Sequence, residues 1–301
     1  MWLLVAISSY LIFAVVFLVD KYLLTGPIPS PKVYCFYVGI FGILLLIIAP
    51  FVGFYIPELG QIALALFAGV IFILALFWFY KALRVFEASR VIPAIGGLTP
   101  LFSIGLIYLF SRGTEILSFS EIIAFVLLVA GSILITYEKK KAVNLKSLRI
   151  SAVAAFFFAL MFVLSKYVYL AQPFWPGFIW IKIGSFLAAI FLLVFSKEIK
   201  QEIFRKKITF QKKTLKIFFA NQVAGGGAGI LQNWAIALAP LACVAIINAL
   251  QGIQYVFLLI FTVLLSWKFP KILKEEISKE IIFQKIIAIL LIGAGLVLLV
   301  L

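Results

Sequence analysis

Apolar runs of about 20 residues follow one another along almost the whole chain, separated by short polar segments. A transmembrane helix needs about 20 apolar residues, and a backbone inside a bilayer must satisfy its own hydrogen bonds. Closed barrels alternate apolar and polar positions and lack such unbroken runs. The pattern therefore predicts an all-α integral membrane protein. A lipid-facing surface agrees with this, because 65% of the residues are hydrophobic, 12% are charged and the mean hydropathy is +1.23.

The runs predict ten transmembrane helices joined by short connections. Their expected ranges are Trp2–Val19, Val33–Phe54, Gln61–Leu83, Ala88–Phe110, Glu121–Tyr137, Ile150–Leu170, Phe174–Phe195, Ile217–Leu238, Leu241–Trp267 and Ile281–Leu301. The first run lacks the basic segment and small-residue cleavage site of a signal peptide, so we expect it to be a retained helix.

Matching residues recur in the same order in both halves of the chain, which predicts a duplication. The matched pairs include Phe17/Phe162, Lys21/Lys166, Gly39/Gly184, Gly97/Gly252, Phe102/Phe257 and Gly131/Gly295. We expect a first five-helix repeat over residues 1–137, a basic connecting loop over 138–149 and a second five-helix repeat over 150–301. Because each repeat has an odd number of spans, the two must be inverted relative to each other. Many secondary transporters have this plan and bind substrate near the midplane between the repeats.

The basic residues give an expected orientation. The net charge is +15, and nearly all Lys and Arg lie in the odd-numbered loops and the adjoining helix ends. By the positive-inside rule these loops are predicted to be cytoplasmic, in the cytoplasmic membrane of a prokaryote, with both termini outside. Such short loops beside apolar runs predict contact with anionic lipid and no nucleic-acid partner.

One hairpin carries a family resemblance. The segment Phe79–Arg84 reads FYKALR, the next turn contains Glu87-Ala88-Ser89-Arg90, and Thr99–Phe102 reads TPLF. This resembles the repeat signature of the EamA family of the drug/metabolite transporter superfamily, and Asp20-Lys21-Tyr22 is similar as well. The resemblance covers the whole chain as two repeats. It implies a ten-helix carrier or exporter of amino acids, sugars or related metabolites, with cytoplasmic termini, whereas the charges favour the opposite orientation.

Lys182 is the sharpest candidate for substrate binding, because it lies well inside the seventh predicted helix. A lysine there either extends to the interface or faces a cavity, where it would attract an anionic or carboxylate-bearing solute. Amides in the eighth and ninth helices predict a polar wall, with interhelical hydrogen bonding as the alternative. The full candidate set is Lys182, Asn221, Gln222, Gln232, Asn233, Asn248, Gln251, Tyr255, Trp78 and Thr99.

Backbone-breaking residues cluster in the fourth and eighth helices. They are Pro93, Gly96, Gly97, Pro100, Gly225, Gly226 and Gly227. Small residues permit close helix packing, while a proline or a glycine run also weakens a helix at a hinge. Both roles stay open for this set.

The expected function is secondary transport of a small polar metabolite across the bilayer by alternating access, with no cofactor and no metal. An enzyme is not expected, because the chain has no His and its two cysteines are far apart. Asp20, Glu87, Glu115 and Glu121 are placed at helix ends, which argues against a midplane proton relay. The alternatives are a nucleotide-sugar or lipid-linked-sugar translocator on the same fold and a non-transporting scaffold. A monomer would suffice, with a homodimer as the alternative.

Overall fold

The computed structural model describes residues 1–25, 28, 30–86, 88–136, 145–204, 212–257 and 279–300. Every regular element in this part of the chain is helical. The helices are α1 (Trp2–Thr25), α2 (Pro31–Gly42), which continues as a 3-10 segment (Ile43–Phe51), α3 (Leu59–Val85), α4 (Ala88–Phe110), α5 (Phe119–Thr136), α6 (Leu145–Ala171), α7 (Phe174–Phe195), α8 (Lys197–Phe204), α9 (Lys212–Leu238), α10 (Val244–Ala249), α11 (251–257) and α12 (Lys279–Val300).

The all-helical prediction is confirmed for these residues. Five helical stretches are long and apolar enough to cross a membrane: Trp2–Leu24, Pro31–Phe51, Leu59–Val85, Leu148–Ala171 and Phe174–Phe195. Shorter apolar stretches cover Ala94–Phe110, Phe119–Leu134, Val244–Phe257 and Phe283–Leu298. Ten spans in two inverted repeats stay a prediction.

Several expected boundaries differ from those observed. α1 continues to Thr25 instead of ending at Val19, and α9 begins at Lys212 instead of Ile217. The second expected helix changes to 3-10 geometry at Ile43, seven residues before Pro50. A turn at Leu250 divides the ninth expected helix into α10 and α11. The part of this expected helix beyond residue 257 lies outside the described residues. So do Tyr137, the expected end of the fifth helix, and residues 138–144 of the expected connecting loop.

Glycines bring the helices into direct backbone contact. A Cβ added to Gly69 on α3 would lie 2.6 Å from the backbone nitrogen of Ser185 on α7. One added to Gly39 on α2 would lie 2.6 Å from Cβ of Ala189, also on α7. Because apolar side chains gain little from leaving lipid for another helix, close packing of this kind is what holds such helices together. α7 is thereby fixed against both α2 and α3.

The helix neighbours define where an interior space is left. α1 lies along α9, α6 lies along α3 and α4, and α5 lies along α12. α2 packs on α7 but touches α9 only sparsely. Two buried apolar clusters form the core, one around Tyr10, Ile246 and Leu250 and the other around Tyr34, Ile73 and Phe218. The gap between α2 and α9 borders the site described next.

Candidate functional site

A cavity of about 470 Å³ lies inside the bundle. Its walls come from α1, α2, the 3-10 segment, α3, α4, α6, α7, α9 and α11. Most of the wall is apolar and rich in phenylalanine, namely Phe13, Phe17, Phe41, Phe72, Phe79, Phe158, Phe162, Phe178 and Phe219. This size and composition fit a small organic molecule, and a few polar groups would fix its orientation.

Lys182 on α7 supplies a positive charge to this wall. Its ammonium nitrogen lies 4.7 Å from the ring centroid of Phe72 and 5.1 Å from that of Phe178. These cation–π contacts stabilise the charge without neutralising it. Within the described residues no carboxylate pairs with Lys182, since the ion pair found there joins Lys32 to Glu198.

Amide side chains line the wall on the other side. Four come from α9 and two from α11: Asn221, Gln222, Gln232, Asn233, Gln251 and Gln254. Asn233 accepts a bond of 2.8 Å from the Tyr169 hydroxyl and donates one of 2.9 Å to the Gly229 carbonyl. Gln232 donates to the Tyr10 hydroxyl over 3.3 Å. No described residue hydrogen-bonds the side chains of Gln222 and Gln251, which leaves both amides available to a ligand.

Asp20 is a cavity residue that the sequence pattern misses. It was expected at a helix end, but that expectation is wrong, because α1 runs five residues beyond it and leaves it only 8% exposed. Its Oδ1 accepts hydrogen bonds from the hydroxyl of Tyr34 on α2 and, over 2.6 Å, from the amide of Asn221 on α9. One carboxylate thus ties three helices together.

Asp20 and Lys182 lie at different levels of the cavity. On α2, Tyr34 is hydrogen-bonded to Asp20. A Cβ added to Gly42 of the same helix would lie 3.6 Å from Cδ of Lys182. These two residues of α2 are eight positions apart, or about 12 Å along the helix axis. The carboxylate is held by its two donors at one end of the cavity, and the ammonium group lies nearer the middle.

The other expected site residues divide between the cavity and the core. Thr99 lines the cavity. Asn248 is buried outside it and donates to Ser103 on α4 over 2.7 Å. Tyr255 packs against Gly96, whose added Cβ would lie 3.1 Å from Cζ of the tyrosine ring. Trp78 lies under the ammonium group of Lys81 at 4.4 Å, again outside the cavity.

The expected hinge or close-packing residues also divide. On α4, Gly96 and Gly97 are in tight contact with Tyr255 and Ile133, and Pro100 is buried. Pro93 is helical, and its side chain lies outside the described part. On α9, Gly225, Gly226 and Gly227 line the cavity, and a Cβ added to either of the last two meets nothing within 4 Å. Gly226 and Gly227 therefore widen the cavity, whereas the Cβ position of Gly225 lies 3.5 Å from Val16 of α1.

Metal-ligating groups do not cluster in the part of the chain that the structure describes, where no three His, Cys, Asp or Glu residues come together. Cys35 and Cys243 are both buried free thiols. The cavity chemistry is accordingly that of one ammonium group, one carboxylate, amides, hydroxyls and aromatic faces.

Comparisons with known proteins bear on the fold. No protein-family model matches the sequence, and no curated protein matches it. Among solved structures, one described as "Crystal structure of protein" superposes with a TM-score of 0.68 at 15% identity, covering 98% of this chain and 96% of that chain. The two chains share a fold. At this identity the likeness carries nothing about activity.

Proposed function

We propose that this protein is an alternating-access secondary carrier of the EamA type, built from two inverted five-helix repeats in the cytoplasmic membrane. Its cargo is a small solute that has an anionic group and an apolar part. The observation that carries the proposal is the ammonium group of Lys182, which lines the cavity without a carboxylate partner among the described residues.

Charge balance supports an anionic cargo. A charge inside a membrane protein is costly unless it is paired or faces water, and such residues commonly mark substrate pathways. Lys182 lies eight residues into α7, or about 12 Å from its start, where it contacts aromatic rings. The Asp20 carboxylate of the same cavity is held at another level by Tyr34 and Asn221, so a carboxylate or phosphate on the solute would supply the counter-charge for Lys182. Gln222 and Gln251 would then orient the polar part, and the phenylalanine wall would hold the apolar part.

The helix packing supports two alternating states. Under the expected duplication, α1 corresponds to α6 and α9 corresponds to α3. The pair α1 and α9 and the equivalent pair α6 and α3 are each in close contact. In the same way, the pair α3 and α7 is equivalent to the pair α9 and α2. These two pairs differ, because α3 packs tightly on α7 while α9 and α2 barely touch. An exchange of these two arrangements between the repeats would transfer access from one side of the membrane to the other.

Two other functions have less support. A translocator of nucleotide sugars would need several cationic groups to bind a diphosphate. Among the described residues, Lys182 is the single cationic residue that lines the cavity. A scaffold would have no use for a cavity that holds an ammonium group and amides between packed helices. Neither explains the unpaired ammonium group as directly as a carrier of a singly charged organic anion does.

The test is a thermal-shift screen of purified protein against amino acids, keto acids, sugar phosphates and nucleotide sugars, followed by uptake of any stabilising compound into reconstituted vesicles. We expect carboxylates or phosphates with an apolar part to raise the melting temperature, and Lys182→Met to abolish both responses. Lys81→Met is the matched control, because Lys81 also lies over aromatic rings but outside the cavity. Equal uptake by wild type and Lys182→Met would remove Lys182 from the site.

A further inference from the structure

The cavity wall has an opening between the α2 side of the bundle and α9. Five residues line the cavity and are also exposed on the outer surface of the bundle: Leu44, Phe219, Val223, Gly226 and Gly227. The three side chains among them are 47%, 48% and 61% exposed, respectively. Their exposure, on two sides of the bundle that touch only sparsely, marks the rim of an opening. We call this opening the lateral slot.

The lateral slot lies beside the middle of two candidate spans and away from the helix ends. Leu44 is near the middle of the candidate span Pro31–Phe51. On α9, Val223 and Gly226 fall between Asn221, which contacts Asp20 of α1, and Ala228, whose carbonyl accepts a 2.9 Å bond from Ser9 of α1. They therefore run beside the middle of α1, itself a candidate span. The side chains around the slot are all apolar, as expected for contact with acyl chains.

The sequence of α9 explains why the lateral slot is wide. Gly226 and Gly227 carry no side chain into it, and a Cβ at either position would have no neighbour within 4 Å. On the facing side, the change from α-helix to the 3-10 segment begins at Ile43, next to Leu44. Sparse contact between α2 and α9 leaves the gap uncovered within the described part of the chain.

The lateral slot opens beside the charged group of the cavity. Gly42, the last residue of α2 before the 3-10 segment, has its Cβ position 3.6 Å from Cδ of Lys182. Leu44 follows two residues later and lines the slot. An anion bound by Lys182 would consequently lie next to the rim, with an apolar path from there to the bilayer.

We propose that the cargo is an amphipathic anion whose headgroup binds Lys182 while its alkyl chain extends through the lateral slot into the bilayer. This rests on the proposed carrier function and specifies its substrate class. Charge complementarity selects the headgroup, since the ammonium group of Lys182 faces the cavity with no carboxylate partner among the described residues. The apolar rim selects the chain, because water-soluble polar substituents would be desolvated there without hydrogen-bonding partners.

The experiment compares two probes, methyl phosphate and dodecyl phosphate, on purified protein in a neutral maltoside detergent. The readout for each probe is the concentration that gives half of its maximal rise in melting temperature. We expect dodecyl phosphate to act at a concentration at least tenfold lower than methyl phosphate in the wild type. Gly227→Leu should fill the lateral slot and cut this ratio at least fivefold. Partition of the probe into micelles is the same for every variant, so the change in ratio reports on the slot.

Gly60→Leu is the matched control, because Gly60 is exposed, helical and free of neighbours within 4 Å but lies outside the cavity. Its probe ratio should equal that of the wild type. Val223→Trp is a second way to fill the slot if Gly227→Leu does not fold. An unchanged ratio in the folded slot variants, with methyl phosphate still active, would overturn the slot and leave the carrier proposal standing. Lack of response to both probes in wild type and Lys182→Met alike would overturn the anion site itself.

Discussion

Gly184 on α7 lies directly against the backbone of Leu66 on α3, so that a Cβ added to Gly184 would be 2.7 Å from Cα of Leu66. The obstructing atoms belong to the backbone of a neighbouring helix and cannot rotate away. Ser185 strengthens the same crossing, because its hydroxyl donates to the Gly69 carbonyl over 3.2 Å. This crossing fixes the side of the cavity that carries Lys182.

Gly184→Ala should therefore destabilise the protein by about 1–3 kcal/mol, the usual cost of overpacking. Gly227→Ala is the paired comparison, since a Cβ there enters open space. In that position alanine should be neutral or stabilise the helix by up to about 1 kcal/mol. Thermal unfolding in detergent, followed by intrinsic fluorescence, measures both. Equal melting temperatures for the two variants would show that α3 and α7 can separate without cost.

The sequence predicts the amide wall well, because helical periodicity fixes which residues share a face. Gln222, Gly226, Gly229 and Asn233 are spaced at i, i+4, i+7 and i+11, which places them on one face of a helix, and all four line the cavity. Lys182 also lines the cavity, whereas its position in the sequence allowed either the cavity or the membrane interface. These residues sit in unbroken helix, where the 3.6-residue repeat holds.

The pattern fails where a helix does not follow its apolar run. Asn248, Gln251 and Tyr255 are spaced at i, i+3 and i+7 and would share one face of a continuous helix, but a turn at Leu250 separates α10 from α11. Gln251 reaches the cavity, whereas Asn248 bonds Ser103. Asp20 was missed for the opposite reason, since α1 continues past the end of its apolar run.

A surface ion pair predicts a pH effect on stability. The ammonium group of Lys32 and the hydroxyl of Ser30 each donate to the Glu198 carboxylate over 3.0 Å, joining the start of α2 to α8. The hydrogen bond from Lys32, and to a smaller extent the one from Ser30, lowers the pKa of Glu198 below its usual range. The folded pKa lies below the unfolded value of about 4.3. The stabilisation is hence present above that value and is lost as the pH falls through the folded pKa.

Glu198→Gln should lower the melting temperature slightly at pH 6, and this difference should shrink as the pH is lowered from 6 towards 3. The Glu198 side chain is 53% exposed, so solvent screens the pair and its contribution should stay below about 1 kcal/mol. The measurement is the difference in melting temperature between wild type and variant across this pH range at low salt. In a Lys32→Met background, or in 1 M NaCl, the difference should shrink. A difference that grows towards acid pH would contradict the assignment.

The carboxylate of Asp20 should hold one end of the cavity closed. It bonds Tyr34 on α2 and Asn221 on α9, and Cys35, the neighbour of Tyr34, is fully buried. Asp20→Ala removes both bonds and leaves two buried donors without their acceptor, at a cost of about 1–3 kcal/mol each. Since 1.4 kcal/mol is a factor of ten, the total of about 2–6 kcal/mol for both donors should increase local opening by about thirtyfold to more than ten-thousandfold.

Maleimide labelling of Cys35 in a Cys243→Ser background measures this opening. Asp20→Ala should accelerate labelling, Tyr34→Phe should do so less because the Asn221 bond of 2.6 Å remains, and Asp20→Asn should be mildest because its Oδ1 still accepts. Cys243, probed in a Cys35→Ser background, lies near Glu121 and away from this cluster, so its labelling should not change. Equal rates for Asp20→Ala and wild type at Cys35 would mean that the apolar packing of Tyr34 with Tyr80 and Phe218, and not the carboxylate, keeps this end closed.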